Sequence, residues 1–476
     1  MAFTREISRL MFGLLLVFFI IVGSAGYWAI VGADSILLRE DNPRLVEDEA
    51  SIQRSSIYDA DGVLLVENVD SDDGFPERIY YYPETFSALG YFSFRYGTGG
   101  AEAAFNDYLR GELLEENFNE VIQQDLLHQP QAGADIRLTL DLDVQQTIFD
   151  AMAEYRGAAV VLSVPDGAVL GLVSLPTFDP NTLDEDWETL IEAEGNPFFN
   201  RVLQGQYQPG GMLQTPLMVA GILSNQPFDT VTANADRTVE VDGRELGCAV
   251  EPDAPDLTYS QAYAYGCPFP FSLIASQMNP TSLQNIFGAF HLNSPPIIAG
   301  YVLDNPGDEA EATPEATPEL SLVEDIIGQG ELTINPLGMA GIASAVINTG
   351  NAPQPYLLDA YQDTDGAWIT VAAPATNTPL MTANAARRLR ELMINNTSIG
   401  ASVNAANNDL TIGGHTALAI SGDETQTWFI GFVTLEDNRG AAVAIVLEDT
   451  SDASEIARIG GLILESAANA LRDSGN

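Results

Sequence analysis

At 476 residues the chain is longer than one typical core, and its 46% hydrophobic content supports two folded domains plus accessory segments. Its 67 acidic residues against 19 basic ones give a formal net charge of -48, spread along the chain. That balance excludes nucleic acid as a partner, because phosphate binding needs clustered basic side chains, and leaves an acidic, well-solvated surface as the plain reading.

All 19 basic residues are Arg, and no Lys occurs anywhere. Residues 1–9 form a short N-terminus carrying Arg5 and Arg9. Leu10 to Ala33 is then an uncharged, mostly apolar run of 24 residues, about 36 Å long as a helix at ~1.5 Å per residue and long enough to span a bilayer. Basic residues before it and acidic ones after it place the N-terminus in the cytoplasm and the bulk outside, as a single-pass cell-membrane protein. A cleaved signal peptide is the competing reading, disfavoured because signal apolar regions run only about 7–15 residues.

From 34 to 134 the chain is polar and irregular and reads as a pedestal domain, with a strand-like pattern at Ser56–Val66 around the turn Asp59-Ala60-Asp61-Gly62. From Asp135 to the end, 135–476, the texture is that of a second domain. IRLTLDLDVQQTIFDAMAEY begins as a strand and becomes an amphipathic helix running to Tyr155. Ala158–Val173 gives two apolar strands around the turn Pro165-Asp166-Gly167. The only cysteines, Cys248 and Cys267, leave a disulfide and two buried thiols both open, and without cysteine pairs and nearby His they make no zinc site. No metal or cofactor is expected.

Residues 307–319, with TPEA and TPEL in tandem, form an acidic flexible insert. Asn335–Thr349 is apolar all round, as a buried helix is, and Leu380–Ile394 is an amphipathic helix carrying Arg387, Arg388 and Arg390. Strands at Thr427–Val433 and Ala441–Leu447 and a last helix over Ala453–Arg472 complete an α/β arrangement of α+β type: an antiparallel sheet covered by helices on both faces.

ALGYFSFRYGTGGAEAAFNDYLRG from Ala88, IRLTLDLDVQQ from Ile136, GAAVVLSVPDGAVLGLVSLPTFDPN from Gly157, NPFFNRVLQGQYQPGG from Asn196, IGQGELTINPLGMA from Ile327 and TWFIGF from Thr427 each resemble a stretch of the class B penicillin-binding proteins, in the same order. The resemblance implies the penicillin-binding-protein transpeptidase fold on an N-terminal transmembrane helix and pedestal. It also implies three motifs around one cleft: SxxK for the nucleophile and its base, SxN for proton relay, and KTG for the substrate carboxylate and the oxyanion site.

Here the flanking residues put Pro209-Gly210-Gly211-Met212-Leu213-Gln214 at the first motif, so Gly211 stands for the Ser and Gln214 for the Lys. The second corresponds to Gly266-Cys267-Pro268, with Gly266 and Pro268 for the Ser and Asn, and the third to His415-Thr416-Ala417. Without Lys in the chain no shifted register restores the first or third. His415 and Thr416, as strand neighbours, point to opposite faces and cannot both enter the cleft. His415 reads as a strand histidine, with partial replacement of the cationic carboxylate clamp as the alternative. Ser402-Val403-Asn404 is a chance SxN far along the chain, and His128 and His291 are isolated. The family's oxyanion donors fall on the backbone N–H groups of Gly211 and Leu418, which side-chain changes do not delete. The cleft either keeps these donors in an open groove or has closed by packing, with Met212 and Phe269 as fillers.

These substitutions lead to the expectation that the chain is not an enzyme but a pseudo-transpeptidase, a scaffold or regulator in peptidoglycan synthesis. The implied partners are the membrane, a polytopic cell-wall glycosyltransferase and peptidoglycan. Two alternatives remain: a D,D-transpeptidase with a non-family nucleophile, and an envelope module repurposed for another protein or glycan.

Overall fold

The structure, a computed structural model, describes residues 2–30, 52–70, 76–113, 133–241, 243–294, 296–301 and 322–473. The expected insert at 307–319 and His128 lie outside the described residues. Helix α1 (Ala2–Ile30) takes in most of the expected anchor, and its large apolar side chains from Met11 to Val22 stand exposed. Among the described residues, however, no helix is long and apolar enough to cross a membrane. The expected run reaches Ala33, past the last described residue of α1, so the transmembrane part of the expected fold is not established.

The turn at Asp59 closes through its own side chain: the carboxylate accepts the backbone N–H groups of Asp61 and Val63 at 3.0 and 2.7 Å, as short acidic residues do in turns. It sets β1 (Ile57–Tyr58) antiparallel to β2 (Leu64–Asp70), and β3 (Pro76–Tyr80) continues the meander. β4 (Ile136–Leu138) pairs parallel with β1, and the strands Leu358–Gln362 and Trp368–Thr370 lie beyond β4. The expected line between 34–134 and 135–476 therefore runs through one six-stranded sheet that both stretches build. Beside it, the fully buried Glu102 carboxylate binds Arg54 at 2.6 Å and Arg78 at 2.8 Å and accepts the Tyr80 hydroxyl at 3.2 Å. Burial alone would raise the Glu102 pKa, but the two guanidiniums outweigh it and hold the carboxyl below its ordinary value.

In the second stretch, α2 (Leu142–Met152) starts at Asp141, whose side chain accepts the Val144 N–H at 2.9 Å. β5 (Gly157–Val164) and β6 (Val169–Leu175) form the expected hairpin. Both strands are buried at every residue, which is why they read as continuous apolar runs without alternation. The remaining elements that place the site are α3 (Gln214–Leu223), α4 (Tyr259–Tyr265), α5 (Pro336–Ile347), α6 (Ala383–Asn396), β7 (Thr411–Ser421), β8 (Glu424–Thr434), β9 (Gly440–Leu447) and α7 (Ala453–Asp473).

The central sheet is antiparallel in the order β7-β8-β9-β5-β6. Period-two alternation divides its side chains between two cores. Trp428, Ile430, Phe432, Ala442, Ala444 and Val446 face α5, whereas Phe429, Val433, Val443 and Ile445 face α2 and α7. Helices thus cover both faces, and each fully buried aliphatic or Phe side chain there contributes about 1.5–3 kcal/mol. A Cβ at Gly460 would run into the Phe429 ring, so glycine lets α7 lie this close to β8.

Candidate functional site

Three segments carry the expected motif positions, and the fold brings them together. The chain arrives through Arg201 and Tyr207, both held by Glu448 after β9: the guanidinium at 2.9 Å, the phenol at 2.7 Å, with Arg156 as a further partner. Burial, reinforced by Glu448, pushes the Tyr207 pKa well up. Trp428 Nε1 donates to the Gln208 carbonyl at 3.2 Å, and Gly210 N–H donates to the Gly328 carbonyl at 2.8 Å. Gly210–Leu213 then makes a 3₁₀ turn leading into α3. This puts Gly211 and Gln214 together, with Gln214 Nε2 3.2 Å from where a Cβ on Gly211 would stand.

The second segment is the end of α4. Gly266 closes that helix at φ +63, a left-handed position that glycine adopts without strain, and a Cβ there would lie 2.7 Å from the Thr416 carbonyl oxygen. Cys267 follows and is bridged to Cys248, which decides the question its spacing left open. Its carbonyl accepts Gln214 Nε2 at 3.3 Å. Pro268 is buried at the start of the next short helix.

The third segment is β7, the edge strand of the central sheet. His415 is fully buried, stacks on Tyr263 with ring centroids 4.0 Å apart, and meets the Gly211 carbonyl through Nε2 at 3.1 Å. A carbonyl only accepts, so Nε2 carries the proton and Nδ1 is left as an acceptor without a good hydrogen-bond partner. Burial lowers the His415 pKa to about 4, against a smaller opposing pull from the Gly211 and Tyr263 backbones. The neutral ring is therefore no cationic clamp. One turn beyond Gly211, Thr215 Oγ1 and the Tyr263 hydroxyl share a 2.9 Å hydrogen bond, and burial raises the Tyr263 pKa.

Thr416 points the other way, as strand alternation requires, and its hydroxyl meets the buried Ser402 hydroxyl at 2.9 Å. The discounted Ser402 is thus a direct neighbour of the motif strand, on the face away from Gly211. Ala417 returns to the His415 side: a Cβ on Gly211 would lie 2.6 Å from the Ala417 Cβ. The 3₁₀ turn at Gly211 thus lies close against Ala417 of β7, and the His415–Tyr263 stack joins β7 to α4. Met212 is fully buried as expected, but Phe269 is not a filler, since it is only half-buried and carries Arg237 over its ring at 4.8 Å. Leu418, the second expected oxyanion position, is partly buried and packs near Val241, Leu246 and Ile420. His291 sits exposed at φ 53 in a turn. Sequence reasoning missed Tyr263 and Thr215, whose apolar surroundings gave no chemical signal.

Residues 157–465 match the penicillin binding protein transpeptidase domain, and residues 54–136 match the penicillin binding protein A dimerisation domain. The peptidoglycan D,D-transpeptidase PbpA of Mycolicibacterium smegmatis is 26% identical over 472 residues, covering 94% of each chain. PbpA of Mycobacterium tuberculosis is 27% identical over 446 residues, 88% of this chain and 89% of that one. The penicillin-binding protein A of M. tuberculosis, solved as its imipenem acyl-enzyme complex, superposes with a TM-score of 0.74 at 25% identity, covering 88% of this chain and 99% of that chain. These relatives correct the expectation that the chain is not an enzyme. Proteins alike along about nine-tenths of its length are D,D-transpeptidases, one of them seen as an acyl-enzyme, and the residues at the expected motif positions do not themselves establish inactivity. The chain belongs to the penicillin-binding protein transpeptidase family.

Proposed function

We propose that this chain works in peptidoglycan synthesis outside the cell membrane, held there by its N-terminal helix, and that it acts as a scaffold placing a membrane glycosyltransferase beside the growing wall. The observation that carries this reading is the end-to-end likeness to D,D-transpeptidases, pedestal included. The cross-tied site supports it: His415 to Gly211 and Gln214 to Cys267 tie α3, α4 and β7 together. The sheet shared between pedestal and second stretch joins those two stretches through backbone hydrogen bonds. A stiff support of this kind transmits position well, since packed interiors deform little.

Purification of the tagged full chain from mild detergent extracts tests the scaffold role. Recovery of a polytopic glycosyltransferase is expected, and recovery without any cell-wall synthesis protein would end the reading. Covalent chemistry is measured in parallel by intact-mass analysis after incubation with benzylpenicillin. Any adduct maps to a hydroxyl other than position 211, because Gly211 has no side chain to acylate.

A further inference from the structure

A cavity of about 770 Å³ opens beneath the segment that leads into Gly210, away from the expected motif positions. Its volume lies in the range of small organic ligand sites, roughly 300–1,000 Å³. Asp325, on the short helix Leu322–Ile326, lines it and is only 7% exposed. No hydrogen bond or ion pair reaches its carboxylate among the described residues. The adjacent loop makes room for this group, since a Cβ at Gly330 would run into Asp325 Oδ1. Exposed Glu331 adds a second carboxylate, and Gln206, Gln284 and Asn293 add exposed amides. Among the described residues no Arg or His lines the cavity.

The Asp325 carboxylate therefore faces the cavity without a protein counter-charge, and a cation is the complement such a group takes. Burial, followed by repulsion from Glu331 and Glu324, raises the Asp325 pKa, the direction that a bound positive charge would oppose. Two carboxylates are too few to cage a metal ion, in line with the lack of any metal-holding cluster among the described residues. The volume and the amide rim suit an organic molecule better. We propose that this cavity binds a primary ammonium carried on a short peptide or an amino sugar, with the ammonium against Asp325 and the ligand's polar groups against the Gln206, Gln284 and Asn293 amides.

The test is calorimetric titration of the full chain in nonionic detergent at pH 7, using acetyl-Gly-Lys-Gly-amide and a glucosamine disaccharide as probes. Each is paired with its N-acetylated counterpart. Binding by the peptide alone or by the sugar alone assigns the source of the ammonium, and the acetylated partner of each is expected to bind at least roughly tenfold more weakly, as loss of a charged hydrogen bond predicts. Asp325→Asn should weaken binding by a similar factor and Glu331→Gln by less. Asp365→Asn, at an exposed turn remote in sequence, serves as the control for the overall negative charge and should leave binding unchanged. Binding should also fall as the pH is lowered, because protonated Asp325 no longer pairs with an ammonium. Equal binding of acetylated and free amines, unchanged affinity in Asp325→Asn with its melting temperature retained, displacement of the amine by calcium alone, or no heat with either amine would each overturn the proposal.

Discussion

Gly211→Ser is the sharpest test of the closed site. The new Cβ would stand 2.6 Å from the Ala417 Cβ, about 1 Å short of an ordinary carbon–carbon contact of ~3.5–4.0 Å. Ala417 cannot yield alone, because β7 is paired with β8 along its whole length from Thr411 to Ser421. Overpacking of this kind costs about 1–3 kcal/mol. Replacing a glycine returns up to about 1 kcal/mol by restricting the unfolded chain. The expected net loss is about 1–2 kcal/mol, a fall in melting temperature of a few degrees for a domain of this size. Thermal unfolding of Gly211→Ser, Ala417→Gly and the double variant measures it as a cycle. Removing the Ala417 methyl should restore most of what the Gly211→Ser change costs, with a coupling of about 1 kcal/mol. A Gly211→Ser protein as stable as the parent, or a coupling near zero, would mean that β7 does not lie against the 3₁₀ turn as described.

Three further outcomes are expected. His415, neutral in the fold with its pKa lowered to about 4 from 6.5, should make stability fall as pH drops from about 6.5 towards 4, by about 3 kcal/mol in all, since only the unfolded state takes the proton there; His415→Gln should flatten that slope by one proton in urea titrations at stepped pH. Glu102→Gln should cost about 3–5 kcal/mol by leaving the Arg54 and Arg78 guanidiniums buried without a counter-charge, read from denaturant midpoints, and because the Glu102 pKa is lowered its contribution should persist above the ordinary carboxylate range and fade only as pH falls below it. Reduction of the Cys248–Cys267 bridge, which closes a sequence separation of 19, should cost about 2–4 kcal/mol and should speed hydrogen exchange in α4, whose end it anchors.

Local structure was legible where one segment decides it. The Asp59 turn, the Pro165-Asp166-Gly167 hairpin, the all-apolar α5 and the amphipathic α6 follow from turn chemistry and periodicity within about a dozen residues, although Thr382 caps α6 and starts it at Ala383 rather than at the expected Leu380. The pedestal sheet was not legible as one object. Its strands Leu358–Gln362 and Trp368–Thr370 come from more than 200 residues beyond the pedestal, and a short edge strand carries no mark of its distant partner. At the site, flanking residues gave the expected motif positions, and alternation along β7 separated His415 from Thr416. Closure of the cleft was hidden for the same reason as the sheet: Tyr263 on His415 and Ala417 on Gly211 are contacts between segments far apart in sequence. Phe269, a large aromatic beside a motif, looked like a filler, yet it faces Arg237.

The residues at the expected motif positions depend on one another physically. Gly211 makes room for Ala417, and the close approach of β7 that follows lets His415 reach the Gly211 carbonyl. Gly266 satisfies both its left-handed φ and its contact with the Thr416 carbonyl, so β7 can also lie against the end of α4. Gln214 turns its amide to Cys267, in a pocket where its own Oε1 and His415 Nδ1 already lack donors. A serine in place of Gly211 meets Ala417, a side chain in place of Gly266 meets β7, and a lysine in place of His415 would bury an ammonium where a neutral imidazole now sits, a charge the surroundings do not balance. Reversing one position alone therefore strains the others, and the family's residues return at low cost only together with an outward shift of β7.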